Sequence, residues 1–225
     1  MNKTLLLPLV LLFFVAIFLC EAASEEIQKI DSKDLSAEVQ TQKAMEVFEK
    51  ILKLTENSSR TEVLPKLETE YLRIIKEYPK ALLAPECYWR LVLIYLNDYN
   101  PPRIEKAEAL YGEFIKKIPD STLRPLIEEA LSKNYVLDLK WDKLLRLYTP
   151  AIKQFIEKGK KPRVYELFMY SEAKLNLGDL EEAEKGYKII IDQFVDTPEA
   201  RESKKRLEKI KEEILKNKGK KHQTK

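Results

Sequence analysis

Glycine is scarce, at 5 of 225 residues, against a typical usage of about 7%. So few glycines argue against glycine-rich phosphate loops and repeated tight turns, and with them most Rossmann domains, P-loop NTPases and β-barrels. One histidine and two cysteines remove most metal-site and triad chemistry. No cofactor, metal ligand or catalytic residue is assigned on sequence. Neither sign of charge dominates: 40 Lys and Arg against 37 Asp and Glu leave +3, too balanced for a chain that binds nucleic acid over its whole surface. What is present is 44% apolar and 34% charged residues, enough for a core and a heavily charged surface. The length suggests one or two domains. The composition reads as helical, surface-charged and non-enzymatic.

Charge is also missing from Leu5 to Leu19, which follows a short segment with one lysine, Lys3. This run is shorter than the roughly 20 apolar residues of a spanning helix but fits the core of a signal peptide. Cys20 and Ala22 supply small residues for cleavage after Ala22. Three readings of residues 1–22 compete: a cleaved signal peptide, which leads; a retained anchor; and a lipoprotein acylated at Cys20. Ile17-Phe18-Leu19 is bulky where a bacterial lipoprotein box needs a small residue, so acylation is the minority reading. All three export residues 23–225, and the first leaves only Cys87, read as a buried apolar residue. Asn57-Ser58-Ser59 matches a glycosylation sequon, a three-residue pattern that arises readily by chance.

Self-similarity is strong along the body. Pro85, Pro125, Pro162 and Pro198 lie 40, 37 and 36 residues apart, each ahead of a helix-like stretch. Proline is tolerated in the first helical turn because the N–H it lacks has no partner there. Pro79 and Pro119 instead close helical runs. Tyr71, Tyr111, Tyr148 and Tyr187 repeat at 40, 37 and 39 residues. Three of them share the run Tyr-x-x-apolar-x-x-x-apolar, through Ile74 and Tyr78, Phe114 and Ile118, and Ile190 and Phe194, spacings that place one stripe on one helix face. In the last unit a first helix ends at Asn176-Leu177-Gly178-Asp179, where Gly178 suits a helix C-terminus and Asp179 caps the next helix.

On these residues the chain resembles tetratricopeptide (TPR) repeats. The last unit carries Gly178-Asp179-Leu180-x-x-Ala183-x-x-x-Tyr187-x-x-Ile190, and the second carries Ala107-x-x-x-Tyr111-x-x-Phe114-x-x-x-x-Pro119. In the second unit a first helix from Ala84 to Asn97 carries Leu91 and Tyr95, and its link through Asn100-Pro101-Pro102 is about three residues longer than the family's turn. The third unit keeps Leu131-Ser132-x-x-Tyr135, puts Trp141-Asp142 in place of the Gly-Asp turn, and sets Pro150 within its second helix, which predicts a kink or a restart at a Thr149 cap. The first unit is recognised mainly by its end. The resemblance implies an all-α fold, a right-handed superhelical solenoid of antiparallel helix pairs behind a signal peptide. The boundaries read are 1–22 signal peptide or anchor, 23–40 polar tether, 41–197 about four helix pairs, 198–216 capping helix, and 217–225 basic disordered tail.

Size, signal segment and Tyr-Pro helix ends look most like the outer-membrane protein assembly factor D group and periplasmic cell-envelope TPR proteins. That likeness implies an exported, periplasmic or membrane-associated adaptor holding a protein or peptide partner in its concave groove, with no nucleic acid partner and with membrane association possible through the N-terminus. Transferring the family's first-helix pattern puts Trp89, Leu93, Glu129, Lys133, Tyr165, Phe168 and Glu172 in that groove, although at helical spacing Trp89 and Phe168 also suit a core. The alternative is a membrane-anchored spacer that self-associates without a peptide ligand. Pairs such as Glu128-Glu129 read as solvated helix faces, since neighbours in a helix do not face each other.

Overall fold

The computed structural model describes residues 31–56 and 59–223, with side chains as far as Glu212. Residues 1–22, Cys20 and the start of the sequon lie outside the described residues. Among those described, every regular element is helical. They are α1 (Ala37–Glu56), α2 (Arg60–Glu77), α3 (Ala84–Leu93), α4 (Ile104–Lys117), α5 (Arg124–Leu137), α6 (Trp141–Lys158), α7 (Val164–Asn176), α8 (Leu180–Gln193) and α9 (Pro198–Gln223). The chain divides into two compact units, one ending at Tyr88 and one beginning at Trp89.

In the N-terminal unit α1 packs against α2. Ala44, Val47 and Ile51 at spacings of three and four meet the stripe Leu67, Tyr71, Ile74 and Ile75, all buried. The Phe48 and Tyr71 rings meet edge to face, centroids 6.4 Å apart. Residues 31–40 depart from the tether expected there. A single 3₁₀ turn, Ser32–Asp34, precedes α1, and Gln40 is fully buried. Its amide nitrogen donates to the carbonyls of Lys33 and Leu35, and its oxygen accepts from the Lys80 N–H at 2.8 Å. One buried amide thus ties the lead-in segment to the loop after α2, satisfying groups that would otherwise be costly to bury. Cys87 is buried, as expected.

In the second unit each helix packs on the next in sequence, from the π-helical turn Ile94–Asp98 and α4 through to α9, and α9 also reaches back to α7. The π-helical turn lies where the sequence shows an over-long link. The prolines fall as read: Pro125 and Pro198 occupy first turns of α5 and α9, and Pro119 follows the end of α4. The four tyrosines of the period are all buried on the second helix of their pair. Phe168, Tyr187 and Ile190 share one core cluster with Ile152, Leu167 and Ile210. At Gly186 the helices come so close that a Cβ would overlap the Ser171 hydroxyl, so this position accepts no side chain without repacking.

Three local readings are corrected. Of the two outcomes read at Pro150, the restart does not occur: α6 is continuous through it, and the Thr149 hydroxyl donates back to the Leu145 carbonyl rather than capping. Where the last unit uses Gly178 (φ 84°), the third uses Leu139 in the left-handed region (φ 55°), and Trp141 opens α6. The end helix runs on to Gln223, through the segment read as a disordered tail.

Candidate binding face

The predicted groove residues occupy α3, α5 and α7, the first helix of three successive pairs. Alpha5 and α7 are joined directly: the Ser132 and Tyr165 hydroxyls share a hydrogen bond of 2.9 Å. Ser132 is fully buried and also donates to the Glu129 carbonyl. The Tyr165 ring stands edge-on to Tyr148, at 6.3 Å. One turn away on α5, Lys133 Nζ and Glu129 Oε1 pair at 2.8 Å, with Lys133 two-thirds exposed. Glu129 beside it holds the Lys133 ammonium above its usual range, while burial pushes the Tyr165 hydroxyl up. Glu129, Lys133 and Tyr165 therefore form one patch with a cation, an anion and a half-buried ring at the α5/α7 seam. On α3, Trp89 and Leu93 are half-buried one turn apart.

The other two residues lie elsewhere. Phe168 is only 8% exposed and packs its ring 6.1 Å from Tyr187; it belongs to the core. Glu172 is drawn into a polar clasp between α8 and α9. Its carboxylate accepts from the Tyr187 hydroxyl at 2.6 Å and from Arg206 Nε at 2.8 Å. At about 100° per residue Phe168 lies about 60° around α7 from Tyr165 and turns inward, whereas Glu172 stays within about 20° of the Tyr165 direction and is engaged by Tyr187 and Arg206 instead.

Sequence reasoning missed a second clasp of the same chemistry. Glu128, read as solvated, is 2% exposed. Its Oε1 accepts from the Tyr111 hydroxyl at 2.6 Å and Arg124 Nε at 2.8 Å, and its Oε2 accepts from Arg163 at 2.9 Å. Arg163 also bonds Glu166, whose other carboxylate oxygen accepts from the Arg163 backbone N–H at 2.9 Å, ahead of the first turn of α7. Three donors on one buried carboxylate offset its desolvation, and the charge joins α4, α5 and the start of α7. The burial of Tyr111, with Glu128 alongside, raises its hydroxyl pKa well above the ordinary value. A cleft of 490 Å³ opens here, with Lys160 and Pro162 on its rim. Two of the four tyrosines of the sequence period, Tyr111 and Tyr187, thus each meet a glutamate paired with arginine, a signal legible only once the helices are placed.

Among the described residues no group of His, Cys, Asp and Glu is placed to hold a metal ion, and no helix is long and apolar enough to cross a membrane. No protein-family model and no curated protein matches the sequence.

Proposed function

We propose that this chain is an exported TPR-like scaffold that holds a protein or peptide segment along the first helices of its pairs, in cell-envelope assembly. The observation that carries the reading is the Ser132–Tyr165 hydrogen bond, which sets α5 and α7 side by side. Helices packed mainly on their sequence neighbours support a stacked repeat, and such stacking leaves first helices lining one extended surface. The binding residues on that surface are Trp89, Leu93, Glu129, Lys133 and Tyr165. A half-buried aromatic and an aliphatic anchor beside charges of both signs suit a peptide better than a polyanion. Phe168 and Glu172 support the surface from beneath through Tyr187 and Arg206.

Export rests on residues 1–22, with cleavage after Ala22. Intact-mass analysis of the mature protein reads the N-terminus directly: Ala23 fits the proposal, acylated Cys20 relocates it to a lipid anchor, and Met1 removes cleavage.

The binding reading is tested by affinity capture with the exported form and with Trp89→Ala and Lys133→Glu variants. Both changes are on partly or largely exposed side chains, so melting temperatures are expected within a few degrees of wild type, while captured protein falls about tenfold or more for a hot-spot aromatic. Capture of only the chain itself, by all forms alike, favours the self-associating spacer instead.

A further inference from the structure

Charge is segregated along this molecule. Residues 204–225 carry ten Lys and Arg against three Asp and Glu, so the chain's total of +3 leaves −4 on residues 1–203. The first part of α9, where the basic segment begins, is seated on the second unit. Ala200, Ser203 and Ile210 are buried, and Arg206 is held by Glu172 and Glu202. On the described part of the helix Lys204, Lys205, Lys209 and Lys211 are exposed. The helix then continues from Ile210 to Gln223, about 20 Å at 1.5 Å per residue. From Ile214 to the last residue the sequence has five lysines, one histidine and no acid.

We propose that α9 docks the protein on a membrane surface rich in anionic phospholipid headgroups. The proposal is independent of the binding face on α3, α5 and α7. Charge complementarity identifies a polyanion, and residue choice selects among polyanions. No aromatic residue follows Phe194 and no arginine follows Arg206. Single-stranded nucleic acid binding relies on aromatic stacking platforms, and fixed phosphate recognition favours the arginine fork. A lipid surface needs neither; it attracts lysines as point charges through its surface potential.

The test is sedimentation of the full chain with vesicles of phosphatidylcholine alone and of phosphatidylcholine with one third phosphatidylglycerol. Any contribution of the apolar residues 5–19 is common to both, so the difference isolates charge. Expected is tighter partitioning on the anionic vesicles, lost as ionic strength rises from about 0.1 M to 1 M and the Debye length shrinks from about 10 Å to about 3 Å. Each lysine near the surface is worth about a fivefold change. Replacing Lys216, Lys218, Lys220 and Lys221 together by Gln should therefore weaken anionic partitioning at least about a hundredfold. The matching replacement of Lys43, Lys50, Lys116 and Lys153, all exposed on other helices, should leave it within about twofold, as expected if the charges of α9 rather than the net charge decide partitioning. Equal partitioning on both vesicles, equal losses in the two variants, or tighter binding to polyuridylate than to anionic vesicles would overturn the proposal.

Discussion

Leu139 shows how one residue departs from its repeat and what that costs. It occupies the left-handed position that Gly178 fills one unit later, and the Lys140 N–H bonds the Tyr135 carbonyl as Asp179 bonds Lys174. A side chain in that region costs about 1 kcal/mol, and Leu139 is 69% exposed, so it recovers little by burial. Leu139→Gly should raise stability by about 0.5–1 kcal/mol, read as a higher denaturation midpoint at unchanged slope. Glu128 lies at the opposite extreme. Removing its carboxylate leaves the Tyr111 hydroxyl and two guanidinium groups without their shared acceptor. Glu128→Ala should cost about 3 kcal/mol or more in chemical denaturation. A loss under about 0.5 kcal/mol, the size of ordinary surface changes, would mean that the carboxylate is solvated after all. Its neighbour Glu129, a helix step of about 100° away, should tolerate the same change with little loss.

Helix ends are the next level, and the α7–α8 turn is the best-defined of them. Asp179 accepts from the Glu182 N–H at the start of α8 and pairs with Lys174 at 2.8 Å. Lys174 is the main cause that holds its carboxyl below the ordinary value, with the Glu182 N–H adding to it. A carboxylate with a lower pKa folded than unfolded stabilises the fold above the unfolded value, near 3.9. That contribution is lost as the pH falls through the folded value. Asp179→Ala should therefore cost about 1 kcal/mol at neutral pH, with the gap to wild type narrowing below about pH 4. A gap independent of pH would assign the loss to helix propensity rather than to the cap. Alpha6 is the counterexample to reading helix ends by residue type. Its internal Pro150 reads as a kink or a restart, yet the helix does not restart there, and the buried Leu144, Tyr148 and Ile152 on both sides of it hold it in place.

Over the whole molecule, what the sequence made legible was periodic: apolar stripes, proline punctuation and the buried tyrosines all survive in the fold. These features depend on neighbours three or four residues away, which pattern alone can resolve. What it concealed depends on groups brought together from distant positions. Glu128 and Glu172 look like any surface glutamate until Arg163 and Arg206, 35 and 34 residues away, are set against them. Gln40 likewise reads as tether until Lys80 arrives, 40 residues later. Of the residues proposed to bind, Glu129, Lys133 and Tyr165 converge at one seam, whereas Phe168 lies in the core and Glu172 in the clasp.

The central claim, that the α5/α7 seam receives a partner segment, is most directly tested by photo-crosslinking in the producing cell. A photoreactive residue would replace Lys133 on the seam or, as the control, Lys188, an exposed residue of α8. The account predicts a discrete heavier adduct to another protein from position 133 and none from 188. Adducts of equal yield from both positions, or from 188 alone, would contradict it.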